Sequence, residues 1–422
     1  MSTLPIPLTG FAYEEGVLQG EGVSLEDIAE QHGTPCYVYS RAAIEAPFHA
    51  LDAAFGARRH RICYAVKANS SLAVLNVLAR LGAGFDIVSA GELERVLHAG
   101  GDPHKVVFSG VGKQSAEVRR ALELDIACFN VESVPELERI QRIASSMRKK
   151  ARISLRVNPD VDAQTHPYIS TGLKENKFGV DIRHAEAIYE RAATMSHIEI
   201  VGVDCHIGSQ LTQLAPFRDA AERVMDLVAR LQRKGINFKH IDFGGGLGIP
   251  YKDETPPSAE EYVRTLNDVV GDRDVEIWIE PGRYLVGNAG VLLTRVEYLK
   301  QAEGHHFCIV DAAMNDLMRP SLYSAWHEIV PVNTNHGGLL QTWDVVGPVC
   351  ETGDFLGKQR KLKLNEGDLL AVLSAGAYGF VMASNYNSRP RPPEVFVDGN
   401  CSALVRPREQ VADLFAGEAV LG

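Results

Sequence analysis

The sequence predicts an α/β protein: an eight-stranded (β/α)8 barrel of the TIM type with a second, mostly antiparallel β domain, a barrel or sandwich that draws in the N-terminal strand segment. Three observations predict it. Eight short apolar runs rich in Val and Ile cross the first two thirds of the chain, segments of helical period lie between them, and the pattern changes near residue 285. In order the runs are RICYAVKA ending at Ala68, GFDIVSA at Ala90, KVVFSG at Gly110, IACFNV at Val131, RISLRVNP at Pro159, IVGVDCHIG at Gly208, HIDFGG at Gly245 and VEIWIEPG at Gly282. Near-continuous Val/Ile runs read as strands buried on both faces, the habit of a parallel sheet. Between them, Leu72, Leu75, Leu78 and Ala79, or Phe217, Ala220, Ala221, Met225 and Val228, recur three and four apart and mark one face of a helix. Eight alternations of strand and helix are the count of a closed barrel, which carries its reactive groups where strands end and loops begin.

With 422 residues the chain exceeds one barrel, so two domains are expected: a barrel over residues 41–285, and a discontinuous β domain made of 1–40 and 286–422. A helix over Arg41–Phe55 leads into the first barrel strand. After residue 285 the runs VGNAGVLLTRVEYL, FCIVDAA, TWDVVGPVC, GDLLAVL and EVFVD are separated by Gly, Pro, Asn and charged turns rather than long helical stretches. The segment PCYVYS at Pro35–Ser40 reads as a strand that joins them. A net charge of −11 argues against nucleic acid or an anionic membrane as partner. Seven scattered cysteines without a CxxC pair suit a reducing compartment. The N-terminus lacks a basic and apolar leader, and no run of about 18 apolar residues occurs, so a cytoplasmic location is expected.

The strand ends carry Lys67, Asp86, Ser109, Asn130, Arg156, His206, the glycines from Gly244 and Glu280. Burial of Lys67 within YAVKAN would favour the neutral amine, the form that condenses with an aldehyde to a Schiff base; a rim lysine paired with Asp86 fits the same residues. The loop Asp242-Phe243-Gly244-Gly245-Gly246-Leu247-Gly248 follows the seventh strand, the usual phosphate site of such barrels, and its bare backbone N–H groups suit an anion, although a tight turn would use glycine too. It matches neither the dinucleotide fingerprint nor the P-loop. His206 offers a ring to stack on a planar cofactor and Ser209 a hydroxyl for phosphate, while a lone histidine also serves structure. Glu280 is a carboxylate for a ring nitrogen and Arg283 a grip for an anion, or the two form a local ion pair. Metal chemistry competes poorly, since no HExxH occurs and His305 and His306 are adjacent. An aldehyde-reactive lysine, a stacking ring, a phosphate cradle and a carboxylate for a pyridine nitrogen together describe pyridoxal 5′-phosphate.

The motifs YAVKAN at Tyr64, FDIVSAGELE at Phe85, HIGSQ at His206, DFGGGLGIPY at Asp242, EPGRYLVGNAG at Glu280, MRPSLY at Met318, CETGD at Cys350 and GAYG at Gly376 span almost the whole chain. In this order they resemble the fold-type III, alanine-racemase-like enzymes that bind pyridoxal phosphate, and within that group the diaminopimelate decarboxylase family. The resemblance implies that Lys67 forms the covalent link to the cofactor and that His206 stacks on its ring. It also implies that Ser209, Gly244, Gly245, Gly246, Gly282 and Arg283 hold the phosphate, that Glu280 pairs with the pyridine nitrogen, and that Tyr378 touches cofactor and substrate. A carboxylate at that nitrogen keeps it protonated and makes the ring a stronger electron sink than an arginine would. Arg283, Arg319 and Tyr323 are implied to bind the distal carboxylate of meso-diaminopimelate and Glu351 its distal ammonium. Cys350, from the partner subunit of a homodimer with shared sites, is implied to donate the proton that completes L-lysine. Decarboxylases of carboxynorspermidine, lysine or ornithine are the nearest alternatives. A non-catalytic regulator on the same fold would be expected to lose these cofactor residues. Residues 167–177, PYISTGLKENK, are a candidate lid.

Overall fold

The computed structural model describes residues 3–161, 177–335, 337–338 and 340–422, so the candidate lid, apart from Lys177, lies outside the described residues. The chain forms two compact units: Pro47–Ile249 with Thr255–Tyr284, and Met1–Ala46 with Pro250–Glu254 and Leu285–Gly422.

The first unit is the barrel. Its strands are β1 (His60–Ala65), β2 (Gly84–Ile87), β3 (Val106–Phe108), β4 (Cys128–Val131), β5 (Ala151–Asn158), β6 (Ile198–Asp204), β7 (His240–Asp242) and β8 (Glu276–Ile279). Each pairs in parallel with the next, and β8 closes the ring on β1 through Ile277↔His60, Trp278↔Arg61 and Ile279↔Ile62. All eight predicted strands are present, and all but the fifth are shorter than the apolar runs. In the first run the strand stops at Ala65, and Val66–Ala68 is a single 3-10 turn that presents Lys67 beyond the sheet. The helices cover the outside on the predicted faces, except that Leu72, at the first turn of its helix, is exposed. Leu72–Arg80 buries Val74, Leu75, Val77 and Leu78, and Ala215–Arg233 buries Phe217, Ala220, Ala221, Val224, Met225, Leu227, Val228 and Leu231.

Alternation along the strands sorts the barrel interior into layers. Cys63, Val107, Cys128, Val201 and Trp278 form an apolar cluster. His240 stacks on Trp278 with ring centroids 3.5 Å apart, and the Arg61 guanidinium lies 4.3 Å over the same indole. Two residues further along β6 and β7 come Asp204 and Asp242, and just past β8 comes Glu280, all buried. The apolar layer is therefore a floor beneath a polar mouth.

The second unit is mostly antiparallel. Its strand order is Phe355–Lys363, Leu340–Val346, His305–Val310, Gly290–Ala302, Cys36–Ser40, Glu394–Asp398 and Cys401–Arg406, with Leu369–Val372 branching from Gly290–Ala302 and Ile329–Pro331 pairing with it. The N-terminal strand Cys36–Ser40 lies between two strands from the far end of the chain, antiparallel to one and parallel to the other. This is the discontinuous arrangement expected from PCYVYS. Val38, Val291, Leu293, Ala371, Leu373, Val395 and Val397 join Leu18, Leu25 and Ile28 in its core. Two details differ from the sequence reading. The start of VGNAGVLL is helical (Arg283–Val286, then Gly287–Ala289), because Gly287 O accepts the Gly376 N–H at 3.0 Å and strand pairing begins only at Gly290. Phe355–Lys363 is a strand despite its charges: Leu356, Arg360 and Leu362 are buried while Lys358, Lys361 and Lys363 are exposed, with a shift in pairing register interrupting the alternation before Arg360. Among the described residues no helix is long and apolar enough to cross a membrane.

The His240 ring is held neutral, its pKa pushed down to about 3 by burial and then by Arg61 and Lys239. The unfolded chain takes up this proton near the ordinary 6.5, so the residue withdraws stability as pH falls between those values. A Cβ added at Gly202 would lie 2.2 Å from His240 Nε2, inside a packed floor. Gly202→Ala is therefore expected to destabilise the protein by about 1–3 kcal/mol, read as a lowered urea midpoint at unchanged slope.

Candidate active site

Lys67 leaves the 3-10 turn with Val66 and Ala68 buried on either side, and its Nζ lies 3.0 Å from Oδ2 of the fully buried Asp86 on β2. Its side chain is 37% exposed and ion-paired. Of the two readings of Lys67, a buried amine in an apolar run and a rim lysine paired with Asp86, the second describes its surroundings. Asp86 Oδ1 is buried with no hydrogen-bond partner of its own.

Past β6, His206 turns its Nδ1 to the Gly245 N–H at 3.1 Å, which leaves the other ring nitrogen to carry the proton. Burial, then the charges of Arg156 and Lys67, push its pKa well down, so the ring is neutral. Its backbone neighbour Ser209 accepts from Arg283 Nη2 at 3.1 Å and Nε at 3.4 Å, joining the loops after β6 and β8. The glycine loop after β7 packs backbone against backbone. Gly244 has φ +66°, and a Cβ on Gly245 would fall 2.2 Å from the Glu280 carbonyl oxygen. Gly282 abuts Ala65 and Ala68 of the lysine turn. The loops carrying Lys67, His206, Ser209, the glycines, Glu280 and Arg283 are thus in mutual contact at one end of the barrel.

Glu280 faces a crowded acidic mouth. Its Oε1 accepts from Asn130 Nδ2 at 3.2 Å, and the same amide reaches Ser109 Oγ at 3.2 Å. Asp204, Asp242 and Glu280 each bring one oxygen within 4.8 Å of the others. Burial raises the Glu280 pKa well above the usual carboxylate range, reinforced by Asp242, Asp86 and Asp204 and opposed by Lys67. Asp242 is pushed up to about 7 by the same burial. Arg156 faces Glu132 at 3.3 Å and Asp204 at 4.0 Å. The sequence reading gave Asp204, Asp242 and Glu132 no role. A signal was there, because Asp204 and Asp242 are the last residues of β6 and β7, the position that singled out the others.

These groups fit pyridoxal phosphate: an amine for the aldehyde, a carboxyl for the ring nitrogen, and a guanidinium, a hydroxyl and a glycine cradle without room for Cβ atoms for the phosphate. Lys67, Glu280, Ser209, Arg283 and the glycine loop would hold it.

The remaining candidates belong to the β unit. Arg319 and Tyr323 lie on the short helix Arg319–Tyr323. The Arg319 guanidinium is buried, 4.5 Å over the Tyr251 ring, with Nη1 2.7 Å from His327 Nε2. Ser321 Oγ donates to Gly353 O at 2.7 Å and ties this helix to the loop that carries Cys350 and Glu351. Asp354 braces the same loop by accepting the N–H groups of Met314 and Val349 at 2.7 and 2.8 Å. Cys350 is exposed, unlike the five buried cysteines, and its N–H donates to Asn387 Oδ1 at 2.8 Å. Glu351 is exposed and accepts from the Tyr386 hydroxyl at 3.2 Å. Tyr378, on the loop after Leu369–Val372, adopts a left-handed φ of +56°.

Comparison with known proteins identifies the family. Residues 41–287 match the family model "Pyridoxal-dependent decarboxylase, pyridoxal binding domain". The chain is 62% identical over 411 residues to a diaminopimelate decarboxylase of Pseudomonas aeruginosa, covering 97% of this chain and 99% of that one. It is 59% identical over 409 residues to that of Vibrio cholerae, covering 97% and 98%. The crystal structure of diaminopimelate decarboxylase from Helicobacter pylori complexed with L-lysine superposes with a TM-score of 0.90 at 44% identity, covering 93% of this chain and 98% of that one. The chain belongs to the diaminopimelate decarboxylase family of pyridoxal-dependent decarboxylases.

Proposed function

We propose that the protein converts meso-2,6-diaminopimelate to L-lysine and CO2 with pyridoxal phosphate, the last step of lysine biosynthesis. The observation that carries this reading is the barrel mouth, where Lys67 on its acid partner and a buried Glu280 join a glycine cradle, in a chain similar to diaminopimelate decarboxylases over 97% of its length. When bound, the cofactor supplies a sink for the electron pair left as CO2 departs.

The chain's own groups then divide the work. Asp86 holds the Lys67 amine in place and takes up charge beside it. The neutral His206 ring, pinned by Gly245, offers a flat apolar face. Glu280 would pair with the cofactor's ring nitrogen, and Arg283 with Ser209 would hold its phosphate; their mutual bond favours that side of the site for Arg283. Arg319 and Tyr323 bind the distal carboxylate, Glu351 the distal ammonium, and Tyr378 lies against cofactor and substrate. The exposed Cys350 Sγ delivers a proton to the substrate Cα, replacing the lost carboxylate. Cys350 and Glu351 serve the site of a second copy of this chain, so the working form is a two-fold homodimer. Free thiols throughout suit the cytoplasm.

Three outcomes are expected. Purified protein with pyridoxal phosphate releases CO2 from meso-diaminopimelate with L-lysine formed, and from neither the LL isomer nor L-ornithine; release from ornithine at a comparable rate would overturn the substrate assignment. Cys350→Ala lowers kcat about 10²- to 10⁴-fold while the visible absorbance of bound cofactor is retained. Mixing inactive Lys67→Ala and Cys350→Ala protomers restores about one quarter of wild-type activity, because random two-fold pairing leaves one intact site in half of the dimers; no recovery would place both residues in one subunit's site.

A further inference from the structure

The mouth of the barrel holds more buried acid than buried base. Asp86, Glu132, Asp204, Asp242 and Glu280 all have buried side chains, while the cations among them are Lys67 and Arg156. Lys67 is taken by Asp86 and Arg156 by Glu132, with Asp204 4.0 Å from Arg156. The carboxyls of Asp242 and Glu280 bring oxygens within 4.8 Å of each other, and neither has an ion pair among the described residues. Two like charges so close and so dry do not both ionise, so the pair shares a proton.

Burial raises Glu280 well above the carboxylate range and Asp242 to about 7, so it takes a donor facing Glu280, such as a pyridine N–H, to move the shared proton onto Asp242. Glu280 Oε1 already accepts the Asn130 amide, a partner that favours an anion. Asp242 Oδ1 accepts the N–H of Gly244 at 2.9 Å, whereas its Oδ2 is buried with no other group to donate to it. A proton on Oδ2 turns that orphaned acceptor into a donor, with a Glu280 oxygen within 4.8 Å of the Asp242 carboxyl to receive it. The groups facing Asp242 are Asp86, Asp204, Glu280, Arg156 and the N–H of Gly244, with Cys63, Cys128, Cys205 and Tyr262 around it. None of the side chains, other than a protonated acid, offers it that donor.

We propose that Asp242 is a positioning residue: its carboxyl carries the proton shared with Glu280, so that Glu280 meets a pyridine N–H as an anion, and its bond to Gly244 ties that carboxylate to the glycine loop. Asp242 thereby joins the two grips on the cofactor, at the ring nitrogen and at the phosphate. Burial holds its proton up to about pH 7, in the range where it can be shared. This rests on the cofactor reading above.

The test uses holoenzyme of wild type, Asp242→Asn, Asp242→Ala, Glu280→Gln and the Asp242→Ala/Glu280→Gln double variant, with cofactor affinity and the pH titration of the bound cofactor's visible absorbance as readouts. Asparagine keeps an acceptor for Gly244 and a permanent N–H for Glu280, so Asp242→Asn is expected to lose less than about tenfold in affinity, with a titration close to wild type. Asp242→Ala is expected to bind about ten- to a hundredfold more weakly and to shift the titration. In the Glu280→Gln background the alanine change is expected to shift it no further. An alanine variant that titrates like wild type, an asparagine variant as impaired as alanine, or an undiminished shift without Glu280 would each overturn the proposal. Should alanine fail to fold, asparagine with and without Glu280→Gln decides the same question. Wild-type protein that takes up no cofactor sinks both readings, whereas wild type that binds it and releases no CO2 sinks only the substrate assignment.

Discussion

Unbalanced charge at the open end of the barrel is the constraint on which the rest depends. Burying a carboxylate costs several kcal/mol unless a cation, a hydrogen bond or a proton compensates it. Here each acid is compensated differently. Asp86 has an ammonium. Glu132 has a guanidinium and the N–H groups of Gly110 and Gly179. Glu280 has an amide, and Asp242 has a backbone N–H. Apart from the Gly244 N–H, these partners come from other strands and loops than the acids they serve, so a shift in one loop would strand a charge.

The same constraint explains the apolar floor. With Trp278 and His240 stacked 3.5 Å apart beneath the acids, the mouth is closed below, so the acids stay in a low-dielectric setting where one proton is worth far more than in water. A neutral histidine in the floor adds no cation that would quench them. The polar chemistry above is thus set by hydrophobic packing two residues further down each strand.

Much of this was legible in the sequence because a barrel strand writes its role twice, as an apolar run and as the polar residue that ends it. All eight strands, the Arg41–Phe55 helix and the loops bearing Lys67, His206, Gly244 and Glu280 could be read that way. What could not be read was pairing. Nothing in YAVKAN says that Lys67 meets Asp86 rather than an apolar wall, and Asp204 and Asp242 matter only because β6, β7 and β8 stand side by side. The strand Phe355–Lys363 escaped because Arg360, a charged residue, occupies an inward position.

The place of Cys36–Ser40 in the middle of the β sheet bears on how the chain comes off the ribosome. The barrel strands all lie between His60 and Ile279, so that unit can close while the rest is still being made. The edge of Cys36–Ser40 that faces Glu394–Asp398 stays unpaired until nearly the last residues emerge, about ten seconds later at ordinary elongation speeds. During synthesis the nascent chain therefore carries an open, Val- and Tyr-bearing strand edge at its front end. That makes this segment a natural point for chaperone contact and for mispairing between chains on neighbouring ribosomes.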